Sequence, residues 1–147
     1  MMQPTTFHFH LIPGVASAAA LTIALIGFAV FLLPLIFYCL TLQKALDRCS
    51  PESRAMSPGL VWLLLIPCVN IVWHFFVVLN VAKSLGAEFQ KRRVATEPQP
   101  GQTLGLVTCV LICCGIIPLL GVFCSLGGLV CWILYWVKIA DFSGRLA

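Results

Sequence analysis

Three long apolar runs alternate with short polar stretches along the chain. The runs cover residues 11–43, 55–82 and about 103–137, and they contain no Asp, Glu, Lys or Arg. A helix needs about 20 apolar residues to cross the hydrocarbon core of a bilayer. The apolar residues are continuous within each run and do not alternate, which favours helices over the strands of a membrane barrel. The pattern therefore predicts an all-α integral membrane protein.

The lengths of the runs predict four transmembrane helices within a single membrane domain, residues 1–147. The first two runs each hold one span, and the third is too long for one, so we expect a turn between Pro118 and Gly128. We place the polar loops at 43–57 and 83–102. The predicted spans are at about 15–42, 59–82, 103–119 and 122–140.

The second run has an alternative arrangement, in which it turns back inside the membrane. Pro67 and Asn70 lie near its middle, where a broken helix would turn. Four spans place six Lys and Arg on the side of both termini and three on the other, which predicts cytoplasmic termini. Three spans plus one re-entrant helix place all nine Lys and Arg on one side of the membrane and none on the other. We expect four spans, because re-entrant backbone requires surrounding protein, which a small chain provides poorly.

The composition agrees with a membrane location. Hydrophobic residues make up 61% of the chain and charged residues 10%, whereas soluble domains carry roughly 25% charged residues. A soluble chain of this size leaves about 30% of its surface exposed, so the lipid bilayer is the expected partner. We expect the basic cluster of Lys91, Arg92 and Arg93 to contact lipid headgroups. Nucleic acid is not an expected partner.

The second run contains three strongly polar side chains, Asn70, His74 and Asn80. At about 100° per residue, Asn70 and His74 share a helix face and Asn80 lies about 80° away. Polar side chains in lipid face other helices or a cavity, so these residues and Pro67 form the candidate intramembrane binding site. The interpretation that we favour is hydrogen bonding between helices.

The eight cysteines do not form a recognisable metal or redox motif. None belongs to a Cys-x-x-Cys pair, the spacing of zinc ribbons and thioredoxin-like centres. His8 and His10 would need a third ligand to hold a metal, and none is evident nearby. We therefore expect no metal, no cofactor and no catalytic residue. A packing face is predicted where small residues recur every four positions: Gly101, Gly105, Cys109 and Cys113.

Three classes of function are open to such a chain. The one that we expect is a non-catalytic accessory or assembly protein, because the spacing of Ala16, Ala20 and Ala24 suits close contact with a second copy or another membrane protein. The alternative is a small oligomeric transporter or channel, which would have to use the polar stripe of the second run, since no Asp or Glu lies in the runs. A membrane enzyme is the least expected class, so we predict that the protein is not an enzyme.

One part of the chain carries a resemblance. The segment from Pro58 to Trp73 has the pattern Trp-x-x-x-Ile-Pro-x-x-Asn-x-x-Trp and is followed by Ala-Lys-Ser-Leu, and a later segment reads Tyr-Trp-Val-Lys-Ile-Ala-Asp, ending at Asp141. This resembles a group of small uncharacterised bacterial multi-pass membrane proteins. The resemblance implies a location in the bacterial inner membrane and makes Pro67 and Asn70 part of a signature. It implies no activity and no functional residue.

Overall fold

The computed structural model of the chain describes residues 13–117 and 120–147, without the side chains of residues 13–16, 67 and 68. These residues are mostly helical with no strand among them, so the prediction of an all-α chain is confirmed for them. His8 and His10 lie outside the described residues. The helices, in chain order, are α1 (Pro13–Asp47), the 3₁₀ helix η1 (Pro58–Leu65), α2 (Pro67–Lys91), α3 (Gln102–Cys114) and α4 (Gly121–Arg145).

Three of these helices are long and apolar enough to cross a membrane. They cover Ser17–Asp47, Val69–Lys91 and Gly121–Arg145. α3 is apolar but has 13 residues, which corresponds to about 20 Å of helix, against about 30 Å for the hydrocarbon core. The described chain is therefore compatible with a membrane protein, and the predicted count of four spans is not confirmed.

The second apolar run is divided at Ile66 and does not form one helix. Ser57 has extended backbone angles and Pro58 begins η1, a position where the fixed φ of proline is favourable. Proline also disfavours the helical region for the residue that precedes it. Ile66 accordingly has φ −85° and ψ 109°, and Pro67 begins α2. The break thus lies where the re-entrant alternative expected a turn.

η1 and α2 fold back on each other across this break. The Trp73 indole N–H donates a 2.9 Å hydrogen bond to the Leu60 carbonyl, whereas two residues separated by this much sequence in one straight helix are about 20 Å apart. The structure differs here from the predicted single span at 59–82. Pro67 is the physical reason, because it has no backbone N–H with which to continue the helix from η1.

α3 and α4 form a second hairpin. They are antiparallel, since Gly101 lies beside Ile139 at one end and Leu111 beside Gly128 near the other. α3 ends at Cys114 and α4 begins at Gly121. The chain therefore leaves the helix several residues before the predicted boundary at 119, and the turn begins before the predicted region.

The chain divides at Pro34 into two compact units, Met1–Pro34 and Leu35–Ala147. The described part of the first unit is the N-terminal portion of α1. Its large apolar side chains are exposed, with Ile23 71% and Phe31 69% exposed. This surface is apolar along its length, as expected for a helix that faces lipid or another protein.

The second unit holds the buried core. Tyr38 and Leu42 of α1, Val78 of α2 and Tyr135 of α4 are fully buried within it. α3 joins this core through glycine, because a Cβ atom added to Gly105 would lie 2.5 Å from Val78 Cγ1 and 2.9 Å from Tyr135 Cε2. The predicted packing face of small residues is thereby confirmed at its centre.

The C-terminal ends of α1, α2 and α4 meet at one polar end of this second unit. Ser50, three residues beyond α1, donates to Glu88 of α2. Arg48 donates to Ser143 of α4, and Arg92, just after α2, donates to the Leu146 carbonyl. The three helices therefore run in the same direction there, and each hairpin returns the chain to that end.

Candidate functional site: buried polar groups between the helices

His74 of α2 pairs with α1 inside the protein. Its Nε2 atom lies 3.0 Å from the Tyr38 hydroxyl, and His74 is 6% exposed. A neutral imidazole nitrogen and a phenol form one hydrogen bond, with donor and acceptor set by the imidazole tautomer. The pair thus removes two polar groups from an apolar environment, where each would be costly if unpaired.

Three aromatic rings of α4 pack against Tyr38 of this pair. The Tyr38 ring lies 5.2 Å from the Trp132 ring and 6.3 Å from those of Tyr135 and Trp136. The Trp136 indole N–H donates a 2.8 Å hydrogen bond to the Thr41 hydroxyl. Tilted and edge-to-face rings at these separations attract one another, so the cluster holds α1 and α4 together.

The other predicted polar residues do not join His74. The Asn80 side chain donates to the Phe76 carbonyl of its own helix at 2.7 Å. Asn70 is half-buried in the first turn of α2, next to the break, and its backbone N–H donates to the Ile66 carbonyl. Pro67 is the first residue of α2. The predicted stripe is therefore divided among three separate local roles.

The polar end of the second unit is organised around Glu88. This carboxylate is 3% exposed and accepts hydrogen bonds from the Ser50 backbone N–H at 2.9 Å and the Ser50 hydroxyl at 2.8 Å. The Arg92 side chain forms an ion pair with the same carboxylate, with 2.8 Å between Arg92 Nε and Glu88 Oε1. Buried carboxylates require such charge-assisted partners. Glu88 thus fastens the loop after α1 to α2.

Arginine side chains extend this network to backbone carbonyls. The Arg92 guanidinium donates to the Leu146 carbonyl at 3.0 Å and to the Arg48 carbonyl at 3.3 Å. Arg48 donates to the carbonyl of Ser143 and, at 3.0 Å, to its hydroxyl. Carbonyls at helix C-termini lack partners within their own helix, so these cations satisfy them and also oppose the helix dipoles.

The predicted lipid-headgroup cluster is largely engaged within the protein. Lys91 forms a 2.8 Å ion pair with Glu52, and this contact lowers the pKa of the Glu52 carboxyl. Arg92 belongs to the Glu88 network, as described above. Arg93 is exposed and has a positive φ of 55°. All three residues are nevertheless exposed, so the ion pairs of Lys91 and Arg92 leave them accessible to solvent or headgroups.

Two buried polar groups have unusual environments, one at this polar end and one in the core. Cys49 lies beyond the end of α1 and is buried, and burial raises the pKa of its thiol to about 11. The thiol is therefore protonated at neutral pH and a weak nucleophile. The Tyr135 hydroxyl is buried and has no hydrogen-bond partner among the described residues, which is unusual in a folded protein.

Sequence analysis did not single out Tyr38 or Glu88. Two signals for them were present. Glu88 and Arg92 have the i, i+4 spacing of a helical ion pair, and Tyr38 carries a polar hydroxyl within an apolar run. Neither signal predicts which residue of another helix is the partner, because contacts between distant segments depend on the tertiary fold.

Comparisons of the chain with protein-family models, with curated proteins and with solved structures gave no match.

Proposed function

We propose that this chain is a non-catalytic accessory or assembly protein of the bacterial inner membrane, acting through contact with a second copy or another membrane protein. The observation that carries the proposal is the internal pairing of its polar groups. His74 pairs with Tyr38, Asn80 with its own helix, and Glu88 with Ser50 and Arg92. Groups that satisfy one another stabilise a scaffold, and these three are thereby less available to line a transport route.

The first unit supports a role in association. Ala20, Ala24 and Gly27 are exposed on the described part of α1, and a Cβ atom added to Gly27 would meet nothing within 4 Å. Small residues allow two helices to approach closely in a bilayer, where packing drives association. The inner-membrane location rests on the resemblance described above.

We also propose three spans, α1, α3 and α4, with a re-entrant second run, in place of four. α3 is shorter than the hydrocarbon core, a mismatch that local thinning of the bilayer accommodates. The ends of α1, α2 and α4 meet at one polar end, and the chain returns to it after the η1–α2 hairpin and after the α3–α4 hairpin. All nine Lys and Arg then lie in segments on one side. The positive-inside rule makes this side cytoplasmic, with the residues before α1 on the opposite side.

The first experiment is site-specific crosslinking in native membranes combined with a mass measurement in mild detergent. We expect a homo-oligomer or a reproducible crosslink to one membrane protein through α1. Ala24→Leu is expected to weaken it, because leucine separates the helix backbones. Ala87→Leu is the matched control, since Ala87 is also exposed but lies on α2. A monomer without a crosslink would contradict the proposal.

A proteoliposome flux assay separates this proposal from the transporter alternative. We expect no flux of protons or small cations above that of empty vesicles. Flux that disappears in His74→Ala, while the variant remains folded, would favour a transporter and overturn the accessory role.

A further inference from the structure

A groove between α1 and α4 combines apolar and basic walls. It has a volume of about 240 Å³ and lies entirely within the second unit. Its α1 wall includes Phe37, Leu40, Lys44 and Arg48, and its α4 wall includes Ala140 and Ser143. The α1 positions are three or four residues apart, which places them on one helix face.

The order of these residues along α1 matches the order of groups in a phospholipid. Phe37 and Leu40 are 56% and 44% exposed, and they precede Lys44 and Arg48 by one to three helical turns. Lys44 lies in the last turn of α1, at the polar end where the helix C-termini meet. An acyl chain lying along the apolar part would therefore place its phosphate at the two cations.

The side chains that line the groove carry a net positive charge. The lining contains two cations and no carboxylate. Four of the five carboxylates pair with other cations: Glu52 with Lys91, Glu88 with Arg92, Glu97 with Lys138 and Asp141 with Arg145. The fifth, Asp47, lies between Lys44 and Arg48 in the sequence and does not line the groove. A ligand with a negative headgroup therefore complements this groove, and a zwitterionic headgroup complements it less well.

The α4 wall provides space and orientation. Ala140 has a small side chain, and Ser143 accepts a hydrogen bond from Arg48 Nη1 at 3.0 Å. This contact holds the guanidinium at the groove, and its remaining N–H groups can donate to a phosphate in the fork geometry that arginine favours. Lys44 is exposed at the same site.

From these features we infer that the α1–α4 groove is a binding site for one anionic phospholipid, with the phosphate between Lys44 and Arg48 and an acyl chain against Phe37 and Leu40. The site is separate from the proposed association surface of the first unit. It also differs from the predicted headgroup cluster at Lys91, Arg92 and Arg93.

The test uses the full-length chain, purified in mild detergent and titrated with phosphatidylglycerol while bound lipids are counted by native mass spectrometry. Lys44→Gln is expected to weaken the first binding event about five-fold, the order that one basic residue contributes at an anionic surface. Lys83→Gln is the matched control, because Lys83 is also exposed and lies on α2, outside the groove. It is expected to leave that event unchanged.

A second pair of variants tests the space without changing charge. Ala140→Leu fills the groove and is expected to abolish the first binding event, while Ala87→Leu leaves it intact. A thermal unfolding midpoint unchanged from wild type confirms that each variant is folded.

Three outcomes would overturn the inference. The first is equal weakening by both lysine variants, which indicates a diffuse electrostatic attraction. The second is equal affinity for phosphatidylcholine. The third is displacement of the lipid by millimolar inorganic phosphate, which indicates a site for a small anion.

Discussion

Buried tyrosines have contrasting roles in this chain. Tyr38 and Tyr135 are both fully buried, and their rings are 6.3 Å apart. The Tyr38 hydroxyl is bonded to His74, whereas that of Tyr135 has no described partner. A phenol hydroxyl adds stability in a core only when its hydrogen bond replaces those it made in the unfolded state.

Replacing each tyrosine by phenylalanine should separate these roles. Tyr38→Phe leaves the His74 imidazole without its partner and is expected to lower the free energy of unfolding by about 1–2 kcal/mol. Tyr135→Phe removes an unpaired hydroxyl from the same core, so stability should be unchanged or higher. Unfolding in mixed detergent, followed by tryptophan fluorescence, measures both. A larger loss for Tyr135→Phe would contradict the assignment.

Glu88 should contribute more to stability than an exposed carboxylate of the same type. Glu88→Gln removes the charge that Ser50 and Arg92 stabilise, and we expect a loss of about 1–3 kcal/mol in the free energy of unfolding. Glu97→Gln is the control, because its ion pair with Lys138 is exposed on the carboxylate side and such pairs contribute little. Unfolding in mixed detergent again measures the effect, and equal stability of the two variants would argue against a fastening role for Glu88.

Helix boundaries and helix contacts depend on proline and glycine. Pro67 prevents η1 from continuing as one helix and is the first residue of α2, so a single residue divides the apolar run into a hairpin. Gly105 has the opposite effect, because its missing side chain lets α3 approach Val78 of α2 and Tyr135 of α4. Each effect follows from a backbone property that hydropathy does not report.

The close approach at Gly105 leads to a prediction at the level of the element. Gly105→Ala places a Cβ atom within 2.5–2.9 Å of two core side chains and should destabilise the α3 contact by about 1–3 kcal/mol. Gly144→Ala is a suitable control, because a Cβ there meets nothing within 4 Å and alanine favours helix. Thermal midpoints in detergent compare the two. A Gly105→Ala protein as stable as Gly144→Ala would show that α3 does not pack as described.

At the scale of the whole molecule, the shared end of α1, α2 and α4 determines the expected topology. Glu88, Arg48 and Arg92 connect these ends through hydrogen bonds between distant segments. A chain with four full spans would place the loop after α1 and the loop after α2 on opposite sides of the bilayer. Contacts between those loops and the end of α4 therefore favour one side for all of them.

Accessibility of single cysteines tests this arrangement. In a cysteine-free background with alanine replacements, Ser57→Cys and Gln99→Cys should both resist a membrane-impermeant thiol reagent in intact cells, because the proposed topology places both on the cytoplasmic side. Thr5→Cys should react. All three should react after permeabilisation, which is the control. Labelling of Ser57→Cys in intact cells would restore the four-span arrangement with cytoplasmic termini.

The sequence by itself determined the helical class and the positions of the apolar segments. In a bilayer, the backbone groups of an apolar run must form hydrogen bonds within the run, as they do in a helix. α1, α2, α3 and α4 each overlap one of the runs, although α1, α2 and α4 continue past the apolar residues into the segments predicted to be polar loops or tail. It also predicted the contact face at Gly105, because a four-residue spacing of small side chains is a local property that requires no knowledge of the partner.

The tertiary structure alone decided how the runs are arranged. Hydropathy summed over residues 59–82 describes a straight span, but the hairpin at Pro67 depends on whether η1 can pack against α2, as Trp73 and Leu60 do. The pairing of His74 with Tyr38 and of Glu88 with Ser50 joins residues 36 and 38 positions apart. Such contacts depend on which helix faces meet. The position of a residue in its own helix gives the direction of its side chain, but it does not identify the helix that packs against that side.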